Sequence, residues 1–165
     1  VHGVTVVLSS HLIADLERAG IPEVKGAAIM RSGYIGVVSI KQRYGGHARQ
    51  AAMAALSSPQ GVWNLRFGVI VVDEDIDPTD EGDVLWAVAT RCEPSEQVDI
   101  IRNAWSSALD PRIHPDDKLA GTSSHSKLIV DACRPFSWRD RFPPTSALSQ
   151  EELRATEEKW GEQLK

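Results

Sequence analysis

An α/β sandwich is predicted for this chain: a single domain whose mostly parallel or mixed sheet is covered by helices. Three observations carry that expectation. Short runs rich in valine and isoleucine alternate with helix-like stretches. Residues 67–72, Phe-Gly-Val-Ile-Val-Val, are apolar on both faces, as a central, doubly covered strand requires. The 165 residues, 42% hydrophobic and 25% charged, suit one ordinary globular core.

The elements follow in order. Residues 4–8 form an apolar run expected as a buried strand, after which Ser9 or Ser10 caps a helix over residues 11–19. Gly20 and Pro22 stop that helix. Residues 24–30 and 35–40 read as two strands. The Tyr44-Gly45-Gly46 turn then leads into an alanine-rich helix over 47–56, whose small residues permit close packing. The strand at 67–72 empties into an acidic turn, and Thr79 or Asp80 starts a helix that runs to Arg91. Trp86 is expected to bury against the sheet, on the side of that helix opposite Arg91. Arg91 itself is expected to be structural or interfacial. A strand at 98–101, an irregular stretch over 103–126, a strand at 127–132 and an extended segment over 134–144 follow. Residues 149–164 read as a polar terminal helix with Ser149 and Glu152 as a capping box.

Composition narrows the function classes. A net charge of −5 argues against non-specific nucleic-acid binding and against docking on an anionic membrane. No apolar run reaches the ~18–20 residues that span a bilayer. Two cysteines, Cys92 and Cys133, make neither a disulfide framework nor a zinc pattern, so reduced thiols and a cytoplasmic setting are the default expectation. The start at Val1, inside an apolar run, reads as a fragment or processed chain.

Several clusters are candidates for chemistry. Asp73, Glu74, Asp75 and Asp77 follow a strand, where carboxylates hold hard metals, serve a solvated turn before a helix, or make salt bridges to another domain. An acidic metal hydrolase is the remote reading of that cluster. The stretch from Lys41 to His47 joins a strand end to a helix start and is either a carboxylate or phosphate cradle or a plain turn. Residues 121–127, Gly-Thr-Ser-Ser-His-Ser-Lys, lack the nucleophile elbow of a serine hydrolase; His125 is a ligand contact, a domain contact or a solvated side chain. Phe136, Trp138, Phe142 and Trp160 among Arg134, Arg139 and Arg141 have the composition of an interface, or of a segment wrapped over its own domain.

Residues 34–50, Tyr-Ile-Gly-Val-Val-Ser-Ile-Lys-Gln-Arg-Tyr-Gly-Gly-His-Ala-Arg-Gln, together with 71–77 and 84–91, resemble the C-terminal domain of UbiD carboxy-lyases. Leu109-Asp110-Pro111 and residues 126–132 follow in the expected order. The resemblance implies a UbiD-type C-terminal domain over residues 1–144, with 145–165 as a C-terminal helix of interfacial character. It also implies reversible, non-oxidative decarboxylation of aromatic or unsaturated acids on prenylated FMN, with a divalent metal (Mn or Mg) and K. Those groups and the catalytic Glu–Arg–Glu set belong to a preceding flavin-binding domain. No catalytic, cofactor-binding or metal residue is therefore expected here, and the isolated chain is expected to fold without flavin and without turnover. The remaining role is a lid, part of the substrate pocket, and contacts in a homo-oligomer; a non-catalytic assembly subunit is the alternative. Lys41 and His125, with His2 as a third, are the expected contacts to the aromatic carboxylic acid, since polar groups suit a hydroxylated ring. Neither nucleic acid nor membrane is an expected partner.

Overall fold

The computed structural model describes residues 2–30, 33–145, 154–155 and 158–160. Its elements are α1 (His2–Arg18), β1 (Val24–Met30), β2 (Ile35–Ile40), α2 (His47–Ser57), α3 (Pro59–Trp63), β3 (Gly68–Asp73), α4 (Glu81–Arg91), α5 (Pro94–Gln97), β4 (Val98–Trp105), α6 (Pro115–Ala120) and β5 (Ser124–Ala132). The five strands make one mixed sheet in the order β1-β2-β3-β5-β4. β2, β3 and β5 run parallel, while β1 and β4 add antiparallel to the two edges. The predicted mixed sheet with helices on its faces is the observed fold, and the run at 67–72 supplies its central strand.

Residues level with one another across the strands share a face. Val38, Ile40, Val69, Val71 and Ile129 point to one side and meet Leu12 and Leu16 of α1 and Ala48, Ala51, Ala52 and Ala55 of α2. The alanines let α2 lie close to the sheet, and each fully buried leucine contributes about 1.5–3 kcal/mol. Val37, Val72, Val130 and Ala132 point to the other side, which Val84 and Ala87 of α4 cover. A Cβ at Gly68 would collide with the Leu128 carbonyl oxygen, so glycine allows β3 to begin tight against β5.

Five expectations are corrected. Residues 4–8 are not a strand: α1 is continuous through them, and Leu8, Leu12 and Leu16, four apart, make its inner stripe. The serines read as caps lie inside that helix; Ser10 Oγ donates to the Val7 carbonyl, and Ser9 Oγ accepts the Ile29 amide. The stretch 103–126 is not irregular throughout. β4 continues to Trp105 across a bulge at Arg102 and Asn103, where Asn103 has φ 55°. Further on, His114 caps α6, with Pro115 in its first turn and Gly121 closing it in the left-handed conformation. Residues 134–144 are not simply extended, since Arg139–Arg141 form a 3-10 turn. Trp86 is 39% exposed and stacks on Arg91, its guanidinium carbon 5.2 Å from the ring centre. The buried stripe of α4 is Val84, Ala87 and Arg91, so the charged residue is inside and the tryptophan outside. The expected terminal helix, with Ser149 and Glu152, lies almost wholly outside the described residues.

Candidate functional site

Loops at the carboxyl ends of parallel strands are where open α/β sheets gather ligands. Here β2 ends before Lys41 and Gln42, β3 ends at Asp73, and β5 ends at Ala132, just before Cys133 and Arg134. Asp73 is the hub. Its Oδ1 accepts from Gln42 Nε2 at 2.8 Å. Its Oδ2 accepts from Arg91 Nη1 at 3.0 Å, the Arg134 amide at 2.8 Å and Arg134 Nε at 3.1 Å. Arg91, in the last turn of α4, also grips Asp75 with two bonds of 2.9 and 2.8 Å. The hydrogen bond from Arg91 holds the Asp75 carboxyl below its usual range. Burial opposes the charge on Arg91, but the two carboxylates outweigh burial and raise its pKa. The acidic turn is thus tied inside its own domain, and the structural role expected for Arg91 fits this geometry.

Around the hub lies a polar cavity of about 250 Å³ lined by Lys41, Gln42, Glu74, Arg134, Arg139 and Asp140, among others. Lys41 is half exposed, with Nζ 3.7 Å from Glu74 Oε2. Its backbone amide donates to the Glu23 carbonyl at 3.0 Å, which fixes the strand end. Gln42 is buried and also donates to the Arg134 carbonyl at 2.8 Å. Arg139 Nη1 donates to the Gln42 carbonyl at 2.8 Å, and its guanidinium stands 4.7 Å from the centre of the Phe136 ring. The segment after β5 is in this way strapped over the ends of β2 and β3.

In the turn from Lys41 to His47, three backbone amides already have partners. Besides the Lys41 amide, the Arg43 amide goes to His47 Nδ1 and the His47 amide to the Tyr44 carbonyl. His47 is fully buried, and burial pushes its pKa down, so it sits as a neutral structural ring. A second cavity, at the other end of the sheet, measures about 270 Å³. Both are smaller than the ~300–1,000 Å³ typical of sites for drug-sized ligands. Among the described residues, no group of three or more His, Cys, Asp or Glu side chains converges to hold a metal ion. No described helix is long and apolar enough to cross a membrane.

His125 belongs to that other end. Its Nε2 lies 2.8 Å from Oδ2 of Asp110, and its Nδ1 lies 2.6 Å from the Ser126 carbonyl. Asp110 is completely buried. Burial would raise its pKa, but bonds from the Arg112 side chain and amide prevail and hold it well below the usual carboxylate range. From His125 there are three residue steps to Leu128, which is level with Ile35 through Gly68, and six more to Lys41. At ~3.3 Å per step that is roughly 25–30 Å, too far for both to meet one aromatic ring. α1 runs from His2 to a turn that enters β1 opposite Ile40, so His2 also starts at the end remote from Lys41; its side chain is outside the described residues. The structure groups Lys41 with Gln42, Arg134 and Arg139, none of them singled out from the sequence as a contact. The available signal was positional: Lys41, Asp73 and Arg134 each stand at or just beyond the end of a parallel strand.

The model of the 3-octaprenyl-4-hydroxybenzoate carboxy-lyase C-terminal domain matches residues 4–132. The phenolic acid decarboxylase of Sedimentibacter hydroxybenzoicus is 39% identical over 145 residues, covering 87% of this chain and 28% of that protein. Among solved structures, the vanillic acid decarboxylase of Sedimentibacter hydroxybenzoicus in its open form superposes with a TM-score of 0.70 and 32% identity, over 97% of this chain and 32% of that one. The UbiD-class enzyme HmfF from Pelotomaculum thermopropionicum in complex with FMN gives a TM-score of 0.70 and 30% identity, over 87% and 31%. The chain thus spans about 30% of the length of the relatives it matches.

Proposed function

Because this chain belongs to the UbiD carboxy-lyase C-terminal domain family, we propose that it is the lid and substrate-pocket domain of a reversible, non-oxidative decarboxylase of hydroxylated aromatic acids. The observation that carries this reading is Lys41, an ammonium at the carboxyl end of a parallel strand, on the lip of a polar cavity braced by a buried ion network. A ring hydroxyl, once ionised, feeds electron density toward the carbon that loses carbon dioxide. A nearby ammonium stabilises that phenolate and lowers the barrier. The phenolic acid decarboxylase among the relatives supports a hydroxylated ring as substrate.

The flavin, the divalent metal and K are assigned to the preceding domain of the same polypeptide, against which the Lys41 end closes. Of Lys41, His125 and His2, the contact to the ring falls to Lys41. His125 and the start of α1 belong to the opposite end, whose exposed Trp63, Phe67 and Trp105 suit the assembly role, including homo-oligomer contacts. The test is Lys41→Met in the full-length, flavin-loaded protein. Losing one such contact should cost about 30- to 1000-fold in kcat/KM on para-hydroxybenzoate, with an unchanged melting temperature. Near-normal kinetics in a folded, loaded variant would remove the basis of the reading.

A further inference from the structure

The geometry points to Arg139 as a second specificity-determining residue, sharing with Lys41 the ionised oxygen of the bound aromatic acid; this rests on the Lys41 reading above. Both cations line the same cavity, and one residue, Gln42, links their positions. Gln42, next to Lys41 in sequence, is buried and fixed by Asp73 and the Arg134 carbonyl, each at 2.8 Å. Its own carbonyl accepts Arg139 Nη1 at 2.8 Å. Stacking on Phe136 holds the guanidinium plane from a second direction. Arg139 is therefore pre-oriented, so little ordering is left for a ligand to impose.

The carboxylates facing these two cations are loose. Glu74 is 3.7 Å from Lys41 Nζ, and Asp140, 93% exposed, is 3.6 Å from Arg139 Nε. Such long, solvated pairs are worth little and exchange readily. By contrast, Asp73 and Arg134 are joined by short bonds within the network. The cavity is accordingly balanced when empty by two displaceable carboxylates. An arriving phenolate replaces them, while the cations stay where Gln42 and Phe136 hold them. A neutral ring gains nothing from that exchange. Selectivity for an ionisable ring substituent thus resides in Lys41 and Arg139 on one side and in Glu74 and Asp140 as competitors on the other.

The experiment measures dissociation constants of para-hydroxybenzoate and benzoate on the full-length, flavin-loaded protein, together with the pH dependence of turnover. Arg139→Gln should weaken para-hydroxybenzoate about 10- to 100-fold and benzoate little, and should move the ionisation required of the bound phenol to higher pH. Arg139→Lys should recover part of the loss. Glu74→Gln should act in the opposite direction and tighten para-hydroxybenzoate several-fold. Equal weakening of both acids, or a loss matched by a fall in melting temperature, would assign Arg139 to pinning the strap alone and overturn the inference. So would an Arg139→Gln variant with unaltered selectivity. If Lys41→Met remains strongly impaired in either case, only this inference falls; if Lys41→Met is harmless too, the reading beneath it falls as well.

Discussion

The two ends of the parallel strands are each built on a buried aspartate held by arginine, yet the two aspartates do different jobs. Asp73 collects its donors from the end of β2, the last turn of α4 and the segment beyond β5, parts of the chain 18 to 61 residues away. Asp110 collects most of its donors locally, from Ser106 and Arg112, with His125 as its more distant neighbour. The first carboxylate stitches separate elements together; the second shapes a loop. Their surroundings differ accordingly. The Asp73 end presents charge around a polar cavity, whereas the Asp110 end presents rings, with Trp63 and Trp105 edge-to-face at 5.0 Å and Tyr34 and Phe67 beside an apolar cavity. One face is suited to a small anion, the other to a protein surface.

Substitutions can break this comparison, starting with the most damaging. Asp73→Asn removes the charge between Arg91 and Arg134 and leaves a buried guanidinium with one partner fewer. The expected cost is about 3–5 kcal/mol in denaturant unfolding. Combining it with Arg91→Met should restore part of that loss, and a cost below ~1 kcal/mol would deny Asp73 its stitching role.

Asp110→Asn should cost less, about 1–3 kcal/mol, because its donors are mostly local. It should also change the pH dependence. The folded pKa of Asp110 is depressed, so its contribution is fully present above the ordinary value of 3.8 and is lost as pH falls toward the folded value. The variant should therefore show a shallower acid limb, and an identical limb would contradict the assignment.

Lys127 lies near Asp110 with the opposite sign. It is buried, gives its ammonium to the Gly61 carbonyl at 3.0 Å, and burial pushes its pKa down. Above that depressed value the unfolded chain binds more protons, so stability should rise with pH up to the ordinary 10.5. Lys127→Met should abolish that alkaline rise and gain up to ~1 kcal/mol at neutral pH, read from melting curves across pH. Trp86→Ala should have the smallest effect, below about 1 kcal/mol, since the ring is already 39% exposed and makes one cation–π contact, with Arg91.

Much of the frame is legible in the residues. β1, β2 and β3 are apolar runs flanked by turns, and α2 and α4 carry clear helical spacing, with Asp80 as the cap of α4. The start of α1 is deceptive because consecutive Val6 and Val7 look strand-like, although both are exposed and the stripe four residues apart decides. β4 was cut short by its own bulge. The spacing of Val84, Ala87 and Arg91 keeps Trp86 out of the buried stripe of α4. The position of Lys41 at the cavity is legible because it follows a strand directly. That of Arg139 is not, since nothing local reveals that a residue 97 positions beyond Gln42 returns to its carbonyl.

The strand order has a consequence for the making of the protein. β3 pairs on one side with β2, already formed, and on the other with β5, which lies sixty residues later at Gly68 and Leu128. At ~5–20 residues per second, a ribosome takes about 3–12 s to supply that partner. For those seconds the chain carries an open, apolar β3 edge of the kind that recruits foreign strands. The arrival of β5 closes the edge, and Arg134, two residues past its end, then locks it onto Asp73. The clasp that frames the cavity is thus also a late stitch of nascent folding, so a truncation just before Arg134 would release a sheet whose seam is formed but unlocked.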